Sequence, residues 1–519
     1  MSRIKYATKN IAFGYLGNLI IGLLNFVLRR VFISYLGNEL NGINVLYTGI
    51  LTALSMAELG IGTAMNYSLY APVAHKDIEK IKSYMQLYKK AYLTIGFAIA
   101  ILGIAISPFL PYLIEGADQL STSDLTFYYF IFLFNTVSTY FVAYKFSLVN
   151  AEQKNYIHTN TITITRIVTI VVQLVVLVMT QSYYWFLLSM AVIELMQKIF
   201  ASIYLNHLYP YLRGLRLFGS SPGVTPLTKE EKGTVITKTK ALMLHRIGDM
   251  ARLESDKIII AKFINVTMTG FVGNYNLVIN FVSNFVNVIF NSVISSFGNL
   301  IATESKEKQY LLFRVYRFFA CWIYGFTAVV FFVLLSPFVS LWLGQEKLLG
   351  AAVVHMMLLE YYFKGDRLVL SNFKTAAGVF EQDKYLPLIQ GATGLIISIS
   401  LVLRIGLIGV FIGMVVSGLL ANFIRPLIIY RVCFNMKATG YFIDWLKYIS
   451  VTIIALLLCN MVGQIIVKGN LSILTFIVMA FIITVIFNVI FIAVFYRCEE
   501  FKYLTDRIKD KLNRSTNDG

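Results

Sequence analysis

The residues of this chain that could do chemistry stand in rows inside otherwise apolar stretches. Side chains three, four or seven positions apart share one face of a helix. By that spacing Asn18, Asn25 and Arg29 fall on one line, and Asn44, Thr48, Ser55, Glu58 and Asn66 on another. A third row is His245, Asp249, Arg252 and Asp256, flanked by Arg246 and Lys257. Asn276, Asn280, Asn284, Asn287 and Asn291 form an asparagine ladder, and Glu360, Lys364, Arg367, Ser371 and Lys374 a mixed-charge row. Arg166, Thr169 and Gln173 make a weaker set. A charged side chain at the centre of a bilayer costs about 2.5–3.5 kcal/mol even on the lenient insertion scale, so such rows persist where they face a bundle interior or a watery cavity.

The residue types say what such a cavity would hold. Arginine stays charged and grips phosphate oxygens in pairs, so Arg29, Arg30, Arg246 and Arg252 suit a phosphate or diphosphate headgroup. The carboxamides of Asn44, Asn280, Asn284 and Asn287 offer the donors and acceptors that sugar hydroxyls need. Asp249, Lys364 and Arg367 complete the expected binding set. Each has a plainer use as well: Asp249–Arg252 and Glu360–Lys364 are spaced for local ion pairs. Glu58, in "SMAELGIG", is the most isolated carboxylate of these rows, and with Asp249 it is a candidate for coupling to H+ or Na+. A helix–helix hydrogen bond is its alternative.

Other chemistries lack their parts. No GxxxxGK[ST] loop, HExxH helix or GxSxG elbow occurs, so the machinery of ATP hydrolysis and the common hydrolases is missing. Cys321, Cys433, Cys459 and Cys498 are scattered, as are the 5 histidines, which argues against a disulfide framework, a metal site and a bound cofactor. The expectation is a transporter, not an enzyme.

The elements that must position these rows are membrane helices. Of 519 residues, 57% are hydrophobic and 14% charged, less charge than a soluble chain of this size carries. Apolar runs such as 11–28 and 473–495 are long enough to cross a hydrocarbon core of about 30 Å. The periodicity predicts about 14 spans, near 11–35, 42–67, 90–113, 125–149, 156–180, 184–207, 240–264, 272–300, 311–343, 351–377, 384–403, 407–432, 446–467 and 472–496. The net charge of +18 is a matter of topology, not of nucleic acid. Roughly 32 Lys/Arg, in segments such as "KIKSYMQLYKK" and "FRVYR", fall on one side and about 4 on the other, which makes both termini cytoplasmic. The N-terminus lacks the cleavage signature of a removed signal peptide.

The chain is written twice. "YKFSLVNAEQKNY" (144–156) returns as "FKTAAGVFEQDKY" (373–385), with Lys145, Glu152, Gln153 and Tyr156 recurring 229 positions later. Thr8-Lys9 and Thr237-Lys238, Gly96-Phe97 and Gly325-Phe326, and "SPF" at 107–109 and 336–338 keep the same offset. Six spans plus six in one orientation predict two lobes related by a pseudo-two-fold along the membrane normal, with substrate between them. The expected organisation is an N-lobe at 1–207, a cytoplasmic linker at 208–239, a C-lobe at 240–432, two further spans at 433–496 and a cytoplasmic tail at 497–519. The Glu-Gln pairs of the repeated phrase fall outside the membrane and read as helix caps before inner-gate elements.

Several phrases carry a resemblance: "RRVFISYLGNELNGIN" (29–44), "LSMAELGIGTAMNYSLYAP" (54–72), "LMLHRIGDMARLESDKIIIAKFI" (242–264), "GNYNLV" (273–278) and "FKTAAGVFEQDKYLPLI" (373–389). In these, and along nearly all its length, the chain resembles the polysaccharide-transporter branch of the multidrug/oligosaccharidyl-lipid/polysaccharide exporter superfamily, in particular the capsule and O-antigen repeat-unit flippases of bacteria. The resemblance implies an all-α polytopic protein of the bacterial cytoplasmic membrane that opens alternately to each side. It implies an undecaprenyl-diphosphate-linked oligosaccharide as cargo, membrane lipids as surroundings, and a polysaccharide polymerase with export machinery as partners. It would place Arg29, Arg30, Arg246 and Arg252 among cavity cations that attract the headgroup, with H+ or Na+ coupling. The alternatives are a peptidoglycan-precursor flippase, a cation-coupled multidrug antiporter, and, further off, a polymerase or ligase using the same lipid carrier.

Overall fold

The computed structural model describes residues 3–55, 58–117, 120–216, 224–379, 381–467 and 471–517; in some stretches, 3–14 and 236–246 among them, it describes the backbone alone. Among the described residues the chain is helical and contains no strand. The helices of the first half are α1 (Arg3–Ser55), α2 (Leu59–Ala74), α3 (Ile78–Ile106), α4 (Leu110–Leu113), α5 (Thr122–Ala151), α6 (Tyr156–Thr180) and α7 (Tyr183–Leu208). Then come α8 (Lys229–Leu253), α9 (Ser255–Phe263), α10 (Val266–Asn291), α11 (Ile294–Thr303), α12 (Lys306–Leu343) and α13 (Ala351–Ala376). The last are α14 (Leu386–Ile405), α15 (Leu407–Ile429), α16 (Thr439–Val467), α17 (Ile473–Phe495) and α18 (Glu499–Asn517).

The protein is an all-α, multi-pass membrane protein. Among the described residues, 11 helical stretches are long and apolar enough to cross a bilayer. The first of them, Tyr15–Ser55, takes in the first expected span and much of the second, because α1 runs through Gly37 with a kink (φ 77°) in place of a loop. Glycine alone adopts that angle without strain. The expected spans that do not stand out as separate apolar stretches are helical too: α2 is short, and α8–α9 and α13 are rich in charge. They carry the His245–Asp256 row, the Glu360–Lys374 row and Asn66; the other polar rows lie on α1, α6 and α10, within apolar stretches.

Local sequence sets the helix ends. Asp77 and Ser121 cap α3 and α5 by accepting from the Lys80 and Asp124 amides, and Ser305 and Ser472 do the same for α12 and α17. Thr228 and Glu231 form a reciprocal capping box at the start of α8, satisfying donors that a helix start leaves open.

The chain packs as two compact units. One runs to Gly273 and takes in Pro387–Ala392; the other holds Asn274–Leu386 and the chain from Thr393 onward. In the second unit α16 and α17 pack on α12 through Phe318, Val329, Ala455, Cys459, Met479 and Phe487. Lipid tails are as apolar as these side chains, so close fit, not water exclusion, drives the association. Gly325 and Gly463 serve that fit: a Cβ on either would stand 3.1 Å from Thr452 Oγ1 or 2.8 Å from Val333 Cγ1. The expected tail is the helix α18, tied back to α12 by Arg314 with Glu499 (3.3 Å) and Glu500 (2.5 Å).

Candidate functional site

In the first unit the second expected span is shared between two helices, and its carboxylate sits where the second of them begins. α1 ends at Ser55 and α2 starts at Leu59, which leaves Glu58 at the N-cap position with no capping bond from its side chain. The carboxylate instead accepts from the hydroxyls of Tyr92 and Tyr140, on α3 and α5. The positive end of the α2 dipole lies beside it, a favourable place for a negative charge. Gly96 makes the arrangement fit, since a Cβ there would stand 2.9 Å from Tyr140 Cβ.

Beside Glu58 lies a cavity of about 430 Å³ whose polar lining is Thr48, Thr52, Ser55, Asn135 and Thr136. Its far wall is braced by a buried ammonium. Lys198 Nζ, on α7, donates to Asn135 O (2.7 Å), Asn135 Oδ1 (2.8 Å) and Ser138 Oγ (2.9 Å), and Glu194 is 3.7 Å away. Several acceptors hold that charge and fix the Asn135 carboxamide at the wall. Among the described residues no cluster of three or more His, Cys, Asp or Glu could hold a metal. One carboxylate among hydroxyls and a carboxamide suits a proton, a monovalent cation or a sugar hydroxyl better than a divalent ion, which calls for several carboxylates.

The arginine and asparagine candidates divide between the units. Arg29, Arg30, Asn44, Glu58, Asp249 and Arg252 belong to the first, and Asn280, Asn284, Asn287, Lys364 and Arg367 to the second. Arg29 Nη1 donates to Asn41 Oδ1, while Arg30 is exposed. Asn44 is half-buried, and its carbonyl accepts from Thr48 Oγ1 (2.7 Å). On α8, Asp249 and Arg252 are half-buried; the Arg246 side chain lies outside the described residues. Lys257 pairs with Glu254, not with the buried Asp256 beside it.

In the second unit Asn280 and Asn284 are exposed, and Asn287 Oδ1 accepts from Tyr324 OH at 3.2 Å. Lys364 is half-buried. Arg367 is buried, paired with Glu360 and donating to Asn422 Oδ1 at 3.1 Å. Glu360 therefore finds its cation seven residues on, two helical turns away.

Sequence reasoning passed over Tyr92, Tyr140, Asn135 and Lys198, whose partners lie on other helices. It also passed over Arg317 and Asp366. Arg317 is 2% exposed; its Nε lies 3.6 Å from Asp366 Oδ1, its Nη2 donates to the Tyr441 carbonyl (3.0 Å), and its guanidinium stacks 3.5 Å from the Tyr441 ring. Cys321 Sγ adds a contact to Asp366 at 3.7 Å. The "FRVYR" segment, counted with the cytoplasmic basic residues, thus holds one surface arginine, Arg314, and one buried in a charge network. A signal was present: Asp366 stands off the Glu360–Lys364–Arg367 line and needs a partner elsewhere.

The repeated phrase resolves into two lysine anchors. Lys145 Nζ on α5 donates to Ser202 Oγ (2.7 Å) and Asn206 Oδ1 (2.9 Å) on α7. Lys374 Nζ on α13 grips both Asp383 oxygens at 2.6 Å, and Asp383 also accepts from Arg425 Nε on α15 (3.3 Å). Glu152 stands at the C-cap of α5 and accepts from Lys154 (2.7 Å) and Tyr209 (2.8 Å).

Solved structures share this fold. The lipid II flippase MurJ, in an inward closed conformation, superposes with a TM-score of 0.68 at 12% identity, over 94% of this chain and 100% of that one. An inward-facing multidrug resistance MATE family transporter of the MOP superfamily gives 0.57 at 14% identity, over 79% and 96%. A point mutant of the Vibrio cholerae MATE transporter VcmN gives 0.55 at 13% identity, over 81% and 96%. No family model matches the chain, and no curated protein matches it in sequence.

Proposed function

We propose that this protein is a flippase of the multidrug/oligosaccharidyl-lipid/polysaccharide exporter superfamily. It moves undecaprenyl-diphosphate-linked oligosaccharide from the cytoplasmic to the outer leaflet by alternating access, for capsule, exopolysaccharide or O-antigen-like synthesis. The observation that carries the reading is the set of arginines on α1, which kinks at Gly37, and on α8, which breaks off at Glu254, together with the asparagines of α1 and α10, in a chain with the flippase and exporter fold. Discontinuous helices at mid-membrane are where transporters of this general kind build their sites. Arg29, Arg30, Arg246 and Arg252 bind the diphosphate, with Asp249, Lys364 and Arg367 as charged neighbours. Asn44, Asn280, Asn284 and Asn287 meet the sugar. The sequence halves 1–207 and 240–432 form the alternating lobes. The protein works in the bacterial cytoplasmic membrane with both termini inside, alongside a polymerase and export machinery, and uses no cofactor.

In proteoliposomes, a fluorescent undecaprenyl-diphosphate disaccharide should cross the bilayer with the protein present. The combined R29A, R30A, R246A and R252A variant should lower that rate at least tenfold while eluting as the parent does. An unchanged rate removes the cationic site. A second reading, transport of a peptidoglycan precursor, is favoured by the extent of the match to the lipid II flippase. Faster movement of lipid II than of the disaccharide lipid would select it. Efflux of cationic dyes without lipid movement would select the multidrug antiporter.

A further inference from the structure

Positions in the two sequence halves correspond at an offset of 229, and Asn41 Nδ2 donates 3.2 Å to the carbonyl oxygen of Gly270, 229 residues on. Positions that a duplication makes equivalent meet where the two copies face each other across their local two-fold. The bond therefore marks a seam, inside the first unit, between the turn of α1 after Gly37 and the start of α10. The seam is close. A Cβ on Gly270 would stand 2.9 Å from the Asn38 carbonyl oxygen and 3.0 Å from Gly42 N, and one on Gly273 would stand 2.6 Å from Val45 Cγ2. A Cβ on Gly42 would overlap the Val266 carbonyl. In the proposed topology the seam is at the outer end of these helices, away from the basic loops.

Asn41 is buried, and its two polar atoms face different ways: Nδ2 to Gly270, Oδ1 to Arg29 Nη1. Arg29 is one of the cations that the proposed function gives to the diphosphate, and its part in the seam rests on that reading. A diphosphate meets a guanidinium with charge on both partners and with paired oxygens that match its fork, whereas Asn41 offers it one neutral acceptor, so the headgroup and the Asn41 carboxamide compete for it on unequal terms. We infer that Asn41 is a positioning residue that latches the seam in the unloaded protein, and that a diphosphate taking hold of Arg29 withdraws it from Asn41 and loosens the grip on Gly270. Headgroup capture and release of the outer seam are then one event, transmitted through a single carboxamide.

Spin labels at Ser34 and Phe263 read the latch. The two positions are exposed and are themselves 229 apart, on α1 and α9. With the four cysteines replaced by Ala and the protein in nanodiscs, undecaprenyl diphosphate should raise the long-distance population in the parent severalfold. Asn41→Ala should show that population before any addition. Asn41→Asp, which keeps an acceptor for Arg29 but has no donor for Gly270, should do the same and guards against a folding artefact in the first variant. Distance distributions of both variants that match the unloaded parent overturn the latch. Opening in both variants, with a parent that ignores undecaprenyl diphosphate, keeps the latch and overturns headgroup capture at Arg29.

Discussion

Arg317 shows how much of a membrane protein's interior is decided one residue at a time. Its guanidinium is buried between Asp366 and the rings of Tyr441 and Tyr448, so helices α12, α13 and α16 meet on a single charge. Removing one partner leaves the other buried and uncompensated, which in proteins costs about 3–5 kcal/mol, whereas removing both is far milder. Arg317→Met should therefore lower the thermal midpoint in detergent markedly, and R317M/D366N should recover most of the loss. Equal midpoints for parent and Arg317→Met would mean that the pair does not hold these helices. In the sequence Arg317 was indistinguishable from Arg314 three positions earlier, since both sit at the foot of a long apolar run. Only the helices arriving from residues 366 and 441 separate them, and no spacing rule reaches that far.

At the scale of elements, the polar rows were legible because helical periodicity is local, and the change of helix beside Glu58 was not. A new helix that starts within a polar row keeps nearly the same polarity pattern, and the tyrosines that hold the carboxylate come from α3 and α5. The linker expected at 208–239 read as a polar loop, and its described part is bonded along α3. Lys89 Nζ donates to the Leu215 carbonyl (2.6 Å), Ser83 Oγ to the Thr225 carbonyl (2.6 Å), and Lys80 pairs with Glu231. The Lys80 ammonium and the Thr228 amide hold the Glu231 carboxyl below the usual glutamate range. A depressed folded-state pKa stabilises fully above the unfolded value, about 4.3 for glutamate, and the gain is lost as pH falls through the folded value. Both partners are partly exposed, so salt screens the pair. Proteolysis of the linker should thus be slow near pH 7 in low salt and faster in 1 M salt or below pH 4. Lys80→Ala should cleave fast under all of these conditions. A salt-independent rate in the parent would assign the strap to the two carbonyl bonds alone.

For the whole molecule, the duplication was readable as an offset of 229, but the duplicated lysines are satisfied differently. Lys374 grips Asp383, whose counterpart by the offset is Lys154, so in the first half Lys145 turns to Ser202 and Asn206 instead. The repeat preserved the anchor and changed what it ties to. The same asymmetry bears on coupling. Asn287, the counterpart of Glu58 by the offset, is a neutral amide bonded to Tyr324. A gradient-driven cycle built on this scaffold would then draw on one carboxylate in the first half, next to the cavity walled by Asn135 and braced by Lys198. Glu58→Gln keeps the size of the side chain and its acceptor oxygen for Tyr92 or Tyr140 but cannot exchange a proton or hold a cation by charge. In proteoliposomes with an imposed H+ or Na+ gradient, lipid movement by the parent should accelerate severalfold over the gradient-free rate. Glu58→Gln should keep the gradient-free rate within about threefold and lose the acceleration. A Glu58→Gln protein that still responds fully to the gradient would shift coupling to Asp249, and a D249N variant measured in the same vesicles would show it.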